Sequence, residues 1–383
     1  MPMVNIERRK LLESLLMAGS ATALLGALPE IVRAYSPSNI IIDPRSIGNM
    51  QTIPSKCDVY VQPSKSSTGQ SQPMVVAADG TVIVDSSGTI VSSLGCNSWI
   101  SSLSLPSGYS CPGGKTYTAG IQEAINYIIN TKGGAGGVVC IAPGTYYVQY
   151  ACVPGGGCAS IYITSDMGSA NNIAIVGSGM DITNIQMAPN PNPSITPTLI
   201  SIGGVSNITI KDLTLLPYDN NYNPAFTMGI GGLNGLLIDS VHVKGSGQLT
   251  TCTAPDGTTY PCVSCAPNHT GSYCTSWGIN SDYPPSSNIV IRNSIFELTH
   301  AQVNLRWTRN VLVENNIFRY SLGDHLIISY NNIPQSQQTP VTNVVIRNNQ
   351  LLYNGDTAID FIGLHGGHVI ENNYIETAGN AIL

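Results

Sequence analysis

Charged residues make up only 10% of this 383-residue chain, against about 25% in typical soluble domains. Several of the ionisable groups that are present gather late in the sequence, in HAQVNLRW, GDHLIISY and DTAIDFIG, after an earlier segment TSWGINSD. Each segment alternates apolar and polar residues, as a half-buried strand does. If Ile279, Val303, Leu305, Leu326, Ile328, Ile359 and Phe361 point inward, then Asn280, Gln302, Asn304, Arg306, His325 and Asp360 share an outer face. Asp324 and Asp356 stand at strand starts, and His300 lies just before its strand. On neighbouring strands His325 and Asp360 would be about 8 Å apart, a separation that paired acid and base groups use to add water across a glycosidic bond. Arg306 could grip a substrate carboxylate bidentately. In an elimination reaction it would instead remove the proton beside that carboxylate, while Asp324, Asp356 or Asp360 hold an acidifying calcium ion. Arg306, Asp324, His325 and Asp360 are therefore the candidate catalytic residues, and Asn304, His300, Trp277 and Tyr283 the candidate substrate-binding residues. Asp356 is a metal ligand only in the calcium-dependent elimination; hydrolysis would need no cofactor.

Those segments need a scaffold that sets strands side by side, and a repeated phrase supplies it. NITIKD, GLLIDS, NIVIRN, NVLVEN, NVVIRN and GHVIEN carry Lys211, Asp239, Arg292, Glu314, Arg347 and Glu371 at one shared position. The signs alternate along the series. Parallel strands stacked about 4.8 Å apart require that alternation, since like charges directly opposite repel. The tightest intervals between phrases are 22 residues (288 to 310) and 24 (343 to 367), which sets the length of one turn of a solenoid. Ile289, Ile291, Val311, Val313, Val344 and Ile346 should face its core, and Asn293, Asn315, Asn348 and Asn372 should stack as an amide ladder. Both columns are structural on this reading and carry no chemistry.

Upstream, TAGIQEAINYIIN places Ile121, Ala124, Ile125, Ile128 and Ile129 at helical spacing, with Thr118 as N-cap and Gly133-Gly134 as the stop. A helix there would cover the open end of the solenoid. ADGTVIVD and SSGTIVSS read as short strands within a Ser/Pro/Gly-rich stretch. Residues 1–34, with Glu7-Arg8-Arg9-Lys10 ahead of an apolar run, resemble a twin-arginine export signal. The expected organisation is thus 1–34 export signal, 35–114 β extension or linker, and 115–383 coil, with an insertion at 249–277. No later run is long and apolar enough to span a bilayer, so no membrane contact is expected beyond the signal. A net charge of −6 gives no nucleic-acid surface. Ten cysteines suit an oxidising, extracellular or cell-surface setting. Cys152 and Cys158 could close a Gly-rich loop. Cys252, Cys262, Cys265 and Cys274 could hold zinc, but in an exported loop two disulfides are expected, while Cys140 reads as a buried thiol.

TAGIQEAINYIINTKGGAGGVVCIAPGTYYV resembles the N-terminal cap and first strand of the pectate-lyase-like right-handed parallel β-helix superfamily, and NVLVENNIFRYSLGDHLIIS resembles its rungs. The resemblance covers residues 115–383 and implies an all-β, right-handed parallel β-helix with a short capping helix. It implies activity on an extracellular, acidic polysaccharide, as a calcium-dependent lyase or a polygalacturonase-like hydrolase. GDHLI resembles the paired-aspartate strand of the latter, with His325 where a second Asp stands. The alternative is a non-catalytic surface, adhesion or glycan-binding rod. GNAIL at the C-terminus aligns with GDHLI as the start of another turn, so a further segment or subunit is expected over that end.

Overall fold

The computed structural model describes residues 56–65, 71–189, 192, 194–219, 223–253, 256–266, 274–281, 284–329, 341–362, 367–376 and 379–382. The chain winds as a coil of parallel strands in three stacks. The first contains Gly137–Ile141, Ile173–Val176, Ser286–Arg292, Thr308–Glu314, Thr342–Arg347 and Val369–Glu371, joined by the leading halves of Ser206–Leu216 and Asn234–Lys244. The trailing halves of those two long strands belong to the second stack, with Gly144–Val148, Thr183–Met187, Ile295–Glu297, Ile317–Arg319, Gln350–Leu352 and Tyr374–Glu376. The third stack runs from Cys158–Thr164 through Thr198–Gly203, Phe226–Gly231, Trp277–Ser281, Val303–Arg306, Leu326–Ser329 and Thr357–Ile362 to Asn380–Ile382. The chain is a parallel β-helix.

The inward pattern holds: Ile289, Ile291, Val311, Val313, Val344 and Ile346 are fully buried. The charge column holds too, with Lys211, Asp239, Arg292, Glu314, Arg347 and Glu371 as successive register partners. Asp239 accepts from Arg292 at 2.9 Å and Glu314 from Arg347 at 2.8 Å. Burial alone would raise the Asp239 carboxyl, but hydrogen bonds from Arg292 and Asn293 and the charges of Arg292 and Lys211 hold it below its ordinary range. Arg292→Glu would put three acids in a row, turning two attractive pairs repulsive. It should cost about 2 kcal/mol, read as a lowered urea midpoint that high salt partly restores.

Each phrase opens on Asn or Gly because that residue takes a left-handed backbone. Asn288, Asn310 and Asn343 have φ of 60°, 54° and 54°, and Gly235 and Gly367 take 97° and 77°. Only Gly, and more rarely Asn or Asp, adopts this region at low cost. The same geometry corrects the expected amide ladder. Asn293, Asn315, Asn348 and Asn372 are themselves left-handed, and the ladder passes to their neighbours. Asn316 donates to Asn349 at 3.0 Å and Asn349 to Asn373 at 2.9 Å. A second ladder runs along the phrase starts, from Asn343 to Asn310 and from Asn310 to Asn288.

The second stack carries an ion column that sequence reading missed. Lys244, Glu297 and Arg319 are register partners. Glu297 accepts from Arg319 Nε at 2.6 Å and faces Nε2 of His242 at 3.2 Å, while His242 Nδ1 faces Asp181 at 2.8 Å. The strands that carry Glu297 and Arg319 are three residues long and give no phrase to recognise.

The helix Ile121–Lys132 buries Ile121, Ala124, Ile125, Ile128 and Ile129, and ends at Gly133 with φ 53°. Its N-cap is Gly120 rather than Thr118. The Thr118 hydroxyl still accepts from the Gln122 N–H, two residues further in. Gln122 ties the helix to the coil by donating to Tyr162 O and accepting from Tyr162 N. Upstream, Val59–Lys65 pairs in parallel with Gly137–Ile141, so the sheet continues into the segment read as an extension. Within that segment Val82–Val84 is a strand, but SSGTIVSS forms only single bridges at Thr89 and Ile90 before a short helical turn. Five disulfides are present, including Cys152–Cys158, Cys252–Cys262 and Cys265–Cys274 as expected. Cys140 is not a free thiol: it pairs with Cys57, 83 residues away. Asn380–Ile382 joins the third stack as the alignment of GNAIL with GDHLI required, with Ile382 over Ile359 over Leu326.

Candidate functional site

The candidate residues come from the third stack and the corner that feeds it. After Arg319 the chain turns through residues 320–325 and enters Leu326–Ser329. The next turn repeats this from Leu352 into Thr357–Ile362. The expected registers hold: Val303, Leu326 and Ile359 align, as do Asn304, Ile327 and Asp360. Arg306 aligns with Ser329.

Carboxylates gather at this corner. Asp324 is partly exposed, and its Oδ1 accepts from Thr357 N at 3.0 Å. Burial raises its carboxyl against that hydrogen bond, and the charges of Asp356 and Asp360 add to the rise, to about 6. Asp360 is also partly exposed and is raised by burial and by Asp356. Asp356 is exposed. The three groups therefore sense one another across two turns of the coil. Arg306 is partly exposed, and its backbone is clamped by Ser281, whose hydroxyl donates to Arg306 O at 2.8 Å and accepts from Arg306 N.

Two candidates are buried rather than open to a ligand. His325 is fully buried. Its Nδ1–H donates to Gln302 Oε1 at 2.8 Å, its ring lies 6.3 Å from Phe318, and its Nε2 has no partner. Burial lowers its pKa to about 3, so it is a neutral core group. The cause is the corner: where the backbone bends into the strand, His325 and Leu326 both turn inward, and Gln302 and Val303 do the same one turn earlier. Asn304 does alternate outward but is fully covered, and its amide donates to Asn280 at 3.0 Å. It is a ladder residue and presents no surface to a ligand. Tyr283 lies outside the described residues.

Trp277 and His300 do come together. Their rings stack with centroids 4.7 Å apart and planes 26° apart, and Phe226 packs on the far side of Trp277 at 5.7 Å. The disulfide-closed insertion ends at Trp277, the first residue of the strand Trp277–Ser281. Its hairpin, Gln248–Thr253 with Thr259–Ser264, is antiparallel and stapled by Cys252–Cys262. Ser276 anchors its exit through hydrogen bonds to Ser246. Trp277 is placed by the coil itself, as the first residue of its third-stack strand and aligned with Phe226 on the turn before.

Calcium was expected only for the elimination chemistry. Among the described residues no three His, Cys, Asp or Glu side chains converge as a metal site would require. No step is routed through a calcium ion.

No protein-family model and no curated protein matches the sequence. Solved structures with similar coils include the A-module of the Azotobacter vinelandii mannuronan C-5 epimerase AlgE4, at 18% identity and a TM-score of 0.43 over 68% of this chain. The match spans 65% of that module, less than two thirds of its length. The catalytic domain Agl-KA matches at 16% identity and TM-score 0.34, over 69% of this chain and 44% of that one. A tailspike protein mutant of E. coli bacteriophage HK620, in complex with a pentasaccharide, matches at 12% identity and TM-score 0.35, over 80% and 59%. The fold assignment rests on the strand registers: the chain is a parallel β-helix protein, with the coil that its resemblance to the pectate-lyase-like superfamily implies.

Proposed function

We propose that this protein hydrolyses glycosidic bonds of an extracellular polysaccharide, with Asp324 as proton donor and Asp360 as the base that activates water. The observation that carries this reading is the gathering of Asp324, Asp356 and Asp360 on one partly open corner, with Asp324 raised to about 6. Unequal environments that keep one carboxyl protonated and leave another ionised are how acid and base roles are divided between like groups. By register Asp360 lies one rung on and three residues along from Asp324. That is about 11 Å between α-carbons, from which two carboxyls can reach the roughly 6.5–9.5 Å separation of inverting hydrolases. Asp324 would give its proton to the leaving oxygen as the C–O bond breaks. Asp360 would take a proton from the water that attacks the anomeric carbon, leaving a new reducing end.

In place of the acidic polysaccharide expected from the sequence, a neutral one is proposed. Three carboxylates on the face disfavour a polymer with a carboxylate on every sugar, so neutral chains are the better substrates. The calcium-dependent lyase is the weaker reading because the carboxylates do not converge as ligands. A surface or extracellular location agrees with the five disulfides.

The test is an activity scan of the secreted protein on xylan, galactomannan, polygalacturonate and alginate, following reducing ends and ultraviolet absorbance with and without chelator. Chelator-insensitive reducing ends are expected, with a rate that falls as pH rises through about 6 and Asp324 loses its proton. Absorbance abolished by chelator would establish the lyase instead. A silent parent protein would leave the adhesion or glycan-binding rod.

A further inference from the structure

One residue before the aligned Ile279, Val303, Leu326 and Ile359 stand Gly278, Gln302, His325 and Ala358. Only Gln302 and His325 among them have polar side chains, and both are fully buried. Aliphatic side chains would fill the same space without burying polar groups, which costs stability unless they are hydrogen-bonded. Here the bonds converge on one residue. Gln302 Nε2 donates to Arg319 O at 2.7 Å, His325 Nδ1–H donates to Gln302 Oε1 at 2.8 Å, and Gln302 N donates to Asp324 O at 3.2 Å. Arg319 ends its strand in the second stack, and Asp324 and His325 lead into the third at Leu326. One buried residue therefore grips the corner 320–325 at both ends. The next corner has no such grip, since the Ala358 side chain has no polar atom, and Asp356 there is exposed. Buried hydrogen-bond networks rigidify what they join. The Asp324 carboxyl, whose Oδ1 also accepts from Thr357 N at 3.0 Å, is carried by the gripped corner. The ionisable groups around it are Asp356, Asp360 and the neutral His325.

We propose that Gln302 is a positioning residue, which with His325 braces the corner 320–325 and so fixes the carboxyl of Asp324. The proposal rests on the hydrolase reading for the task of Asp324, but its test separates the two.

Gln302→Met combined with His325→Phe replaces both partners by apolar groups and leaves no buried half-pair between them. In the full-length parent, Asp324→Asn should raise the urea midpoint at neutral pH but not near about pH 4. In the double variant the corner loosens and water reaches the carboxyl, so that rise should shrink or vanish. On the preferred glycan kcat should fall about a hundredfold with KM little changed, and the loss of rate with rising pH should begin below about 6. A brace that only stabilises the fold would lower all urea midpoints alike and leave the rise intact. His325→Phe alone cuts the tie at one end, should show the same changes in smaller degree, and serves if the double variant does not fold. The inference is overturned if the rise persists undiminished in these variants, or if the parent itself shows none. A lost rise with turnover unchanged would keep the brace and remove Asp324 from the chemistry. A parent silent on all four polymers would end the hydrolase reading, while the urea midpoints still decide the brace.

Discussion

Asp324→Asn should lower turnover by about two to four powers of ten while making the protein more stable at neutral pH. Both effects have one origin. The folded carboxyl sits at about 6, above the ordinary value of about 3.9 for an unfolded aspartate. A raised carboxyl contributes fully below the unfolded value, and its contribution is lost as pH rises through the folded one. Above about pH 6 the native state therefore holds a charge in a place that disfavours it. Asparagine stays neutral and can still accept the Thr357 N–H through its side-chain oxygen. The gain should be on the order of 1 kcal/mol at neutral pH, after allowing for the solvent that reaches a partly exposed group, and should vanish near pH 4. Urea titrations at the two pH values, set beside turnover on the preferred glycan, check both halves. Loss of turnover without a pH-dependent stability gain would mean that Asp324 is not held in its protonated form. A gain with turnover intact would remove it from the mechanism.

Glu297→Gln should have the largest effect on the scaffold, and with the opposite dependence on pH. Burial opposes the Glu297 charge, but the hydrogen bond from His242 and the charges of Arg319 and His242 outweigh it and hold the carboxyl at about 2. The gap from its ordinary 4.5 corresponds to about 3 kcal/mol. This contribution is present above pH 4.5 and is lost as pH falls through about 2. His242 runs the other way. Burial lowers it, but hydrogen bonds to Glu297 and Asp181 win and raise it. Its contribution is full below about pH 6.5 and fades as pH rises through the folded value. The two windows overlap in mild acid, where Asp324 also keeps its proton. The wild-type protein should therefore be most stable there, and Glu297→Gln should lower its urea midpoint strongly at pH 5.5 and little at pH 2. Equal losses at both pH values would show that Glu297 acts by packing rather than by charge.

The sequence by itself determined the coil. From Lys211 onward each turn places an inward pair, a charge opposite in sign to its neighbours and a left-handed Asn or Gly at the same step, because the next strand lies directly above. That constraint repeats, so Ile289, Arg292 and Asn288 could be read against Val311, Glu314 and Asn310 without coordinates. Asp324, Asp356 and Asp360 were legible for the same reason, as unusual charges at the edge of a repeating pattern. Tertiary structure decided what repetition does not control. Alternation fails where the backbone bends, and so His325, one residue before its strand, went into the core. Three-residue strands carry too little pattern to announce the Glu297 column. Cys57 meets Cys140 only because Val59–Lys65 enters the sheet from far upstream. Trp277 meets His300 because the chain returns to the third stack one turn later, where Ile279 aligns with Val303, and the acidity of Asp324 depends on burial and on charges from a later turn, which no local spacing expresses.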